Sequence, residues 1–271
     1  KDISVGAPFF NLVFLPLILP AIFLTGISIN LKWKVNTFDY ILRKFWKIVT
    51  ITLFLVTSYL FIYGGPVLYF LSISTAIWIF VTVFNDFISK LYSNKDNKRI
   101  KISRMFRINY STYGMYLAHL GVALFILGVA ISEGKKQYYE GAIMVGDEIK
   151  IDNFEITLNK ISNERVKNWI SEIGDFTVKE ETKDTYIMQA ERRVYLDTGM
   201  PSTEAGIKRN NLGHLYIVMG QEQPANSGKR IVRVYHNPSI ILIWLGAFVM
   251  ALGGFIALLE RTVTPKKSVV H

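Results

Sequence analysis

The chain has 271 residues, no cysteine, 51% apolar residues, 14% aromatics and a formal net charge of +10. That composition excludes a disordered chain, a disulfide-stapled secreted module, a thiol nucleophile and any cysteine-ligated zinc or iron–sulfur site. A mean hydropathy of +0.28 beside 31 Lys and Arg requires the apolar residues to be gathered away from the charges, which points to a membrane protein.

In chain order, four blocks lack Asp, Glu, Lys and Arg: Ile3 to Leu31, Ile48 to Asn85, Ile108 to Ser132 and Val234 to Leu259, of 29, 38, 25 and 26 residues. A hydrocarbon core of about 30 Å takes roughly 20 helical residues, so the first, third and fourth blocks each fit one span. The second is too long for one. Gly64-Gly65-Pro66 near its middle marks a turn that divides it in two. Five membrane helices are therefore expected, at about residues 8–29, 46–63, 67–85, 110–132 and 239–259. Pro16 and Pro20 remove backbone donors one turn apart and should bend the first.

Charge orients these spans, because cytoplasmic loops carry excess Lys and Arg. Lys32, Lys34, Arg43, Lys44 and Lys47 precede span two; Lys90, Lys95, Lys98, Arg99, Lys101, Arg104 and Arg107 separate spans three and four; Arg261, Lys266 and Lys267 follow span five. With five spans these segments share one side. Residues 133–237 hold 15 basic and 16 acidic residues, whereas the rest of the chain holds 16 and 5. The long, nearly neutral segment is thus expected outside the cytoplasm. Trp33, Trp46, Tyr69 and Tyr235 near span ends fit interfacial aromatic belts. Basic loops that flank apolar spans, without a folded domain of stacking aromatics, argue against nucleic-acid binding. The sequence opens at Lys1 without a methionine, and span one lacks the features of a signal peptide, so it reads as a piece of a longer protein.

Within 133–237, Glu148 to Asp152 and Phe154 to Leu158 alternate apolar and polar, and Tyr186 to Leu196 and Leu215 to Met219 are rich in strand formers. Gly146-Asp147 and Asp152-Asn153 supply turns. The expected fold class is therefore a helical membrane protein of five transmembrane helices, with one small extracytoplasmic β-rich domain inserted between helices four and five. Residues 1–132 would form the first four helices, 133–237 the β-rich domain, and 238–271 the fifth helix with a short cytoplasmic tail. No catalytic constellation is visible in the β-rich part. Glu180, Glu181 and Asp184 sit among lysines as on a solvated face, and His214 and His236, 22 residues apart, lack metal-ligand spacing.

His119 is the one histidine well inside an apolar span. An imidazole in lipid needs partners for its nitrogens, and an intramembrane ionisable residue is a functional candidate by default. No other charge is expected in any span to pair with it. On a helical wheel Gly114, Gly121 and Gly128 fall within about 40° of one another with Ala118 beside them, a seam for close approach of another helix. Gly246-Met250 and Gly253-Ala257 form a similar one-turn pattern in span five. His119 lies about 140° from Gly114, away from that seam. Three readings stay open: a packing histidine hydrogen-bonded to a neighbouring helix, a proton or ion relay, and an axial ligand to haem.

Several stretches are similar to the carboxy-terminal part of the CcmF family, the large membrane subunit of the haem lyase in cytochrome c maturation. They are Gly6-Ala7-Pro8-Phe9-Phe10-Asn11, Ala118-His119-Leu120-Gly121-Val122-Ala123, Met200-Pro201-Ser202-Thr203-Glu204-Ala205, Leu215-Tyr216-Ile217-Val218-Met219-Gly220, Asn237-Pro238, Trp244-Leu245-Gly246 and Met250-Ala251-Leu252-Gly253-Gly254. They keep the family's order and run nearly end to end. The resemblance implies a part in joining haem vinyl groups to the cysteines of apocytochrome c outside the cytoplasm. It implies a transmembrane b-type haem (haem b) with His119 as one axial ligand to the iron. The second ligand and the tryptophan-rich haem-handling signature would belong to the family's amino-terminal portion, so this chain alone is expected to be inactive.

Implied partners are that amino-terminal portion or a split-gene product, a CcmH-type subunit, the haem chaperone CcmE, apocytochrome c and the lipid bilayer. The implied location is a bacterial inner membrane with 133–237 in the periplasm, or a mitochondrial inner membrane. Gly213-His214 stands where the family usually has an Arg-Asp pair, and His236 has no histidine counterpart in the pattern. The competing function is a polytopic transport or scaffold subunit that presents the β-rich domain.

Overall fold

Apolar runs in lipid can satisfy their backbone groups only within helices, and a computed structural model of the chain shows them so. It describes residues 6, 9–31, 38–64, 67–92, 102–181, 185–209 and 213–263. Lys32, Trp33, Lys34, Lys95, Lys98, Arg99, Lys101, Asp184, Lys266 and Lys267 lie outside the described residues. The chain divides into two units, one of Lys1–Gly134 with Leu242–His271 and one of Lys135–Ile241.

The first unit holds α1 (Leu15–Ser28), α2 (Phe38–Tyr63), α3 (Val67–Leu91), α4 (Tyr110–Gly134) and α5 (Ile241–Val263). Four of these are long and apolar enough to cross a membrane, and α1 is a shorter apolar helix. In place of a uniform first helix over 8–29, π-helical turns at Phe10–Phe14 run into α1. An α-helical bond to the Leu12 carbonyl would need the N–H that Pro16 lacks, and the wider π register avoids it. Helix α3 continues past Asn85 to Leu91, because Asp86 and Lys90 form an i,i+4 ion pair at 3.0 Å. Gly64, at φ 62, ends α2 with its amide on the Leu60 carbonyl at 2.9 Å.

Trp78 of α3 organises the first three helices. Its indole N–H donates to the Phe23 carbonyl at 3.0 Å, and its ring stacks on Phe23 at 4.8 Å and Phe45 at 5.9 Å. Gly26 makes this possible, since a β-carbon there would occupy the indole itself. Helices α4 and α5 pack antiparallel along the glycine seam: Gly114 faces Gly253 and Ala257, Gly121 faces Gly246 and Met250, and Gly128 faces Ile243. Away from that seam α5 exposes Trp244, Phe248 and Phe255, as a lipid-facing surface does.

The second unit is a two-sheet sandwich. Strands β1 (Gln137–Ile143), β7 (Gly206–Arg209), β8 (Gly213–Glu222) and β9 (Arg230–Pro238) form one sheet in the order β1-β9-β8-β7. Strands β2 (Glu148–Ile151), β3 (Phe154–Arg165), β4 (Trp169–Glu180), β5 (Tyr186–Tyr195) and β6 (Pro201–Glu204) form the other, in sequence order. Alternation turns Ile156, Leu158 and Phe176 inward from one sheet against Ile217, Met219 and Val234 from the other, all fully buried. The two-residue turn between β2 and β3 places Asp152 at φ 50, a conformation Asp tolerates. Arg230 of β9 links the sheets, reaching Glu172 of β4 at 3.1 Å and Glu222 of β8 at 3.2 Å.

Candidate functional site

His119 sits at mid-length of α4, about 140° around the helix from Gly114 of the seam with α5 and on the same side as Tyr116, Ala123 and Ile126, which pack on α3. Its ring is half-buried, with Nδ1 2.8 Å from the Met115 carbonyl oxygen one turn earlier. A carbonyl oxygen only accepts, so Nδ1 is the donor in this bond, and in the neutral tautomer that goes with it Nε2 has the lone pair. Among the described residues Nε2 has no hydrogen-bond partner. The bond to Met115 lies within α4 itself and is not the bond to a neighbouring helix that the packing reading requires; it satisfies one ring nitrogen and leaves the one that a metal would use. A neutral imidazole held at Nδ1 by a backbone carbonyl is the usual arrangement of a ligating histidine, so this donor fits one axial position of a haem iron.

The reading of the charge-free blocks missed Asp86. It is only 7% exposed on α3, accepts a hydrogen bond from the Tyr116 hydroxyl at 2.7 Å and pairs with Lys90. Tyr116 is three residues from His119 on α4, so a polar cluster ties the two helices within one turn of the imidazole. A block boundary drawn at the first charge put Asp86 in a loop, although an acid and a base four residues apart at the end of an apolar run would have signalled a longer helix.

The structure places the other histidines on neighbouring strands. His214 pairs with Asn237 and His236 with Leu215, so their side chains leave opposite faces of the sheet. His236 packs edge-on to Phe154, with Nδ1 2.8 Å from an Asp152 carboxylate oxygen. This contact is close enough for an ion pair but off the line of a hydrogen bond. His214 is buried beside the Tyr216 hydroxyl at 3.4 Å, and burial together with the Arg209 charge holds its imidazole below the ordinary histidine range. Among the described residues no group of three or more His, Asp or Glu side chains is arranged to hold a metal ion.

Fold and site together define a multi-pass helical membrane protein with a β-sandwich inserted before its last helix. Residues 136–238 match the family profile described as "CcmF C-terminal beta-sandwich". The chain is thus similar to proteins named CcmF, and its residues 136–238 to their carboxy-terminal β-sandwich.

It is 29% identical to the cytochrome c-type biogenesis protein CcmF of Escherichia coli K12 over 98% of this chain and 40% of that protein. The cytochrome c-type biogenesis protein CycK of Rhizobium meliloti is 26% identical over 96% of this chain and 38% of its own length. Cytochrome c-type biogenesis protein NrfE of Haemophilus influenzae is 27% identical over 93% and 38%. A solved structure named "Cytochrome c Heme Lyase CcmF" superposes with a TM-score of 0.66 at 16% identity, covering 93% of this chain and 40% of that one. The chain thus spans about 40% of the length of the curated relatives it matches.

Proposed function

We propose that the chain serves as the carboxy-terminal part of a haem-lyase membrane subunit in cytochrome c maturation, with His119 as one axial ligand of a b-type haem within the membrane. The observation that carries this reading is the His119 ring, tethered at Nδ1 and, among the described residues, without a hydrogen-bond partner at Nε2, in the middle of an apolar helix. A haem with two histidine ligands has no open iron position and supplies one-electron transfer. The Met115 carbonyl fixes the tautomer and the rotation of the ring and makes Nε2 a stronger donor. The glycine seam with α5 and the Tyr116–Asp86 bond fix the position and rotation of α4, and the apolar neighbours keep water away.

The second ligand and the haem-handling surface would come from the amino-terminal portion of the protein or a split-gene partner. A CcmH-type subunit, the haem chaperone CcmE and apocytochrome c would be the further partners. The basic loops favour an inner membrane with the sandwich on its periplasmic side. The test is the visible spectrum of the full-length protein. Reduced low-spin haem bands are expected to vanish in His119→Ala and to return with added imidazole, at unchanged protein yield. Undiminished bands in a folded His119→Ala protein would reject the ligand role.

The buried Asp86–Tyr116 bond favours a second reading, in which Asp86, Tyr116 and His119 serve a proton path. In that case Asp86→Asn would abolish maturation while the haem bands persist, and aqueous reagents would reach substituted cysteines at Met115 and Val122.

A further inference from the structure

The end of α3, the 3-10 segment Ile102–Arg107 and the start of α4 enclose a pocket of about 490 Å³ lined by Lys90, Arg104, Arg107, Ile108, Asn109 and Thr112. Half of these residues are cationic, and none of the described lining residues is acidic. Asp86 answers Lys90 from outside the lining. The Arg104 guanidinium is held at the pocket wall by a hydrogen bond to the Tyr92 carbonyl, and Arg107 is exposed.

A second cavity, an apolar groove of about 810 Å³, lies along α2, α3 and α4 and is lined by Ile51, Leu55, Phe84, Phe87, Tyr116 and Leu120 among others. Lys90 connects the two: its ammonium group lies 5.0 Å from the centre of the Tyr116 ring. Beside the basic pocket Ile102 and Phe106 are 71% and 91% exposed. Exposed apolar residues alternating with arginines on one short segment suit the boundary between hydrocarbon and water.

A cationic pocket at the end of an apolar groove has the two-part chemistry of a lipid. A zwitterionic headgroup would bring its own cation up to the exposed Arg107 guanidinium and the other basic groups of the lining, whereas an anionic one brings only the complementary charge. An apolar helix from another protein would fill the groove but bring no anion to the basic pocket. We propose that this is a binding site for an anionic phospholipid, its phosphate held by Lys90, Arg104 and Arg107 and an acyl chain lying in the groove between α2, α3 and α4. The arginine forks suit phosphate oxygens.

Native mass spectrometry of the full-length protein, released from nanodiscs of mixed phosphatidylglycerol and phosphatidylcholine, tests this. Retained phosphatidylglycerol should exceed phosphatidylcholine, and the preference should fall about fivefold for each arginine replaced in Arg107→Gln and in Arg104→Gln/Arg107→Gln. Arg107→Lys should keep most of it, and Leu120→Trp, which fills the groove, should lower retention of both lipids. Inorganic phosphate should leave the lipid in place. Arg107 is exposed, so circular dichroism should show its variants folded. Equal retention of the two lipids by the parent protein, an unchanged preference in the double variant, or no retained lipid because another helix closes the groove would each overturn the proposal. Displacement by phosphate would overturn the acyl-chain half of it.

Discussion

Gly121 and Gly246 meet backbone to backbone, and reciprocally: a β-carbon on either would stand 2.7 Å from the carbonyl oxygen of the other. Helices α4 and α5 therefore approach as closely as their main chains allow, and Cα–H groups face carbonyl oxygens along the contact. Because His119 rides on α4, this seam bears directly on the candidate site.

Substitution on the seam should be costly, while substitution just off it should not. Gly121→Val should lower stability by about 1–3 kcal/mol through overpacking, read as a fall in Tm of the purified protein in detergent. Gly254→Ala is the internal control, since nothing lies within 4 Å of a β-carbon there. A Tm for Gly121→Val equal to that of the control would show that α5 does not pack on this face.

The docking of α1 on α3 should be visible in fluorescence. Gly26→Val would push the Trp78 indole from its place against Phe23, breaking its N–H bond to the Phe23 carbonyl. The emission that distinguishes the protein from a Trp78→Phe reference should shift to the red. Identical spectra for Gly26→Val and the parent would contradict the contact.

Within the sandwich, the Arg230 side chain is 12% exposed and is shared between Glu172 and Glu222. Removing it leaves Glu222 without this cation and Glu172 with the 3.7 Å contact to Arg192. Arg230→Met should cost about 1–3 kcal/mol, measured as resistance of residues 135–241 to limited proteolysis against urea. A double-mutant cycle with Glu172→Gln should return a non-zero coupling; strict additivity would mean that the bridge contributes nothing.

His214 gives the sandwich an acid sensitivity of known sign. Its imidazole is held below the ordinary range by burial and by Arg209, so the unfolded chain takes up this proton more readily than the folded one. The stability it contributes is complete above about pH 6.5 and is lost as the pH falls below that value. Melting curves recorded from about pH 7 to about pH 5 should fall more steeply for the parent than for His214→Gln. Parallel curves would remove His214 as the cause.

Much of this architecture was legible because lipid and strands impose simple periods. Charge-free blocks marked the helices, and alternation at Phe154-Ile156-Leu158 and Leu215-Ile217-Met219 marked inward faces; the long block divides after α2 ends at Tyr63, while Gly65 and Pro66 of the expected turn lie outside the described residues. Strand β4 escaped notice because Gly174, Asp175 and Glu172 interrupt its apolar pattern, their backbone positions being fixed by the neighbouring strands β3 and β5. Strand β9 carries no mark of its own, because its end, with the buried Val234 and His236, runs into the same charge-free block as the fifth span, although 133–237 reads as the β-rich domain.

At the site, His119 stood out as a polar atom set in hydrocarbon. Its tether to Met115 was implicit in the four-residue helical spacing, but the free state of Nε2 depends on neighbours that only tertiary packing supplies. Asp86 was lost to a boundary rule, and Lys90, Arg104 and Arg107 entered only as a tally of charges, although they converge on one pocket.

The strands that begin and end the sandwich are bonded neighbours, with Gln137 opposite His236. Main chains so paired are about 5 Å apart, so the polypeptide enters and leaves the domain through a single doorway. A loop of a few residues is long enough to bridge that gap. The sandwich is thereby a cassette whose two ends lie side by side, so that chimaeras carrying a relative's sandwich can be joined at this one place in the sheet.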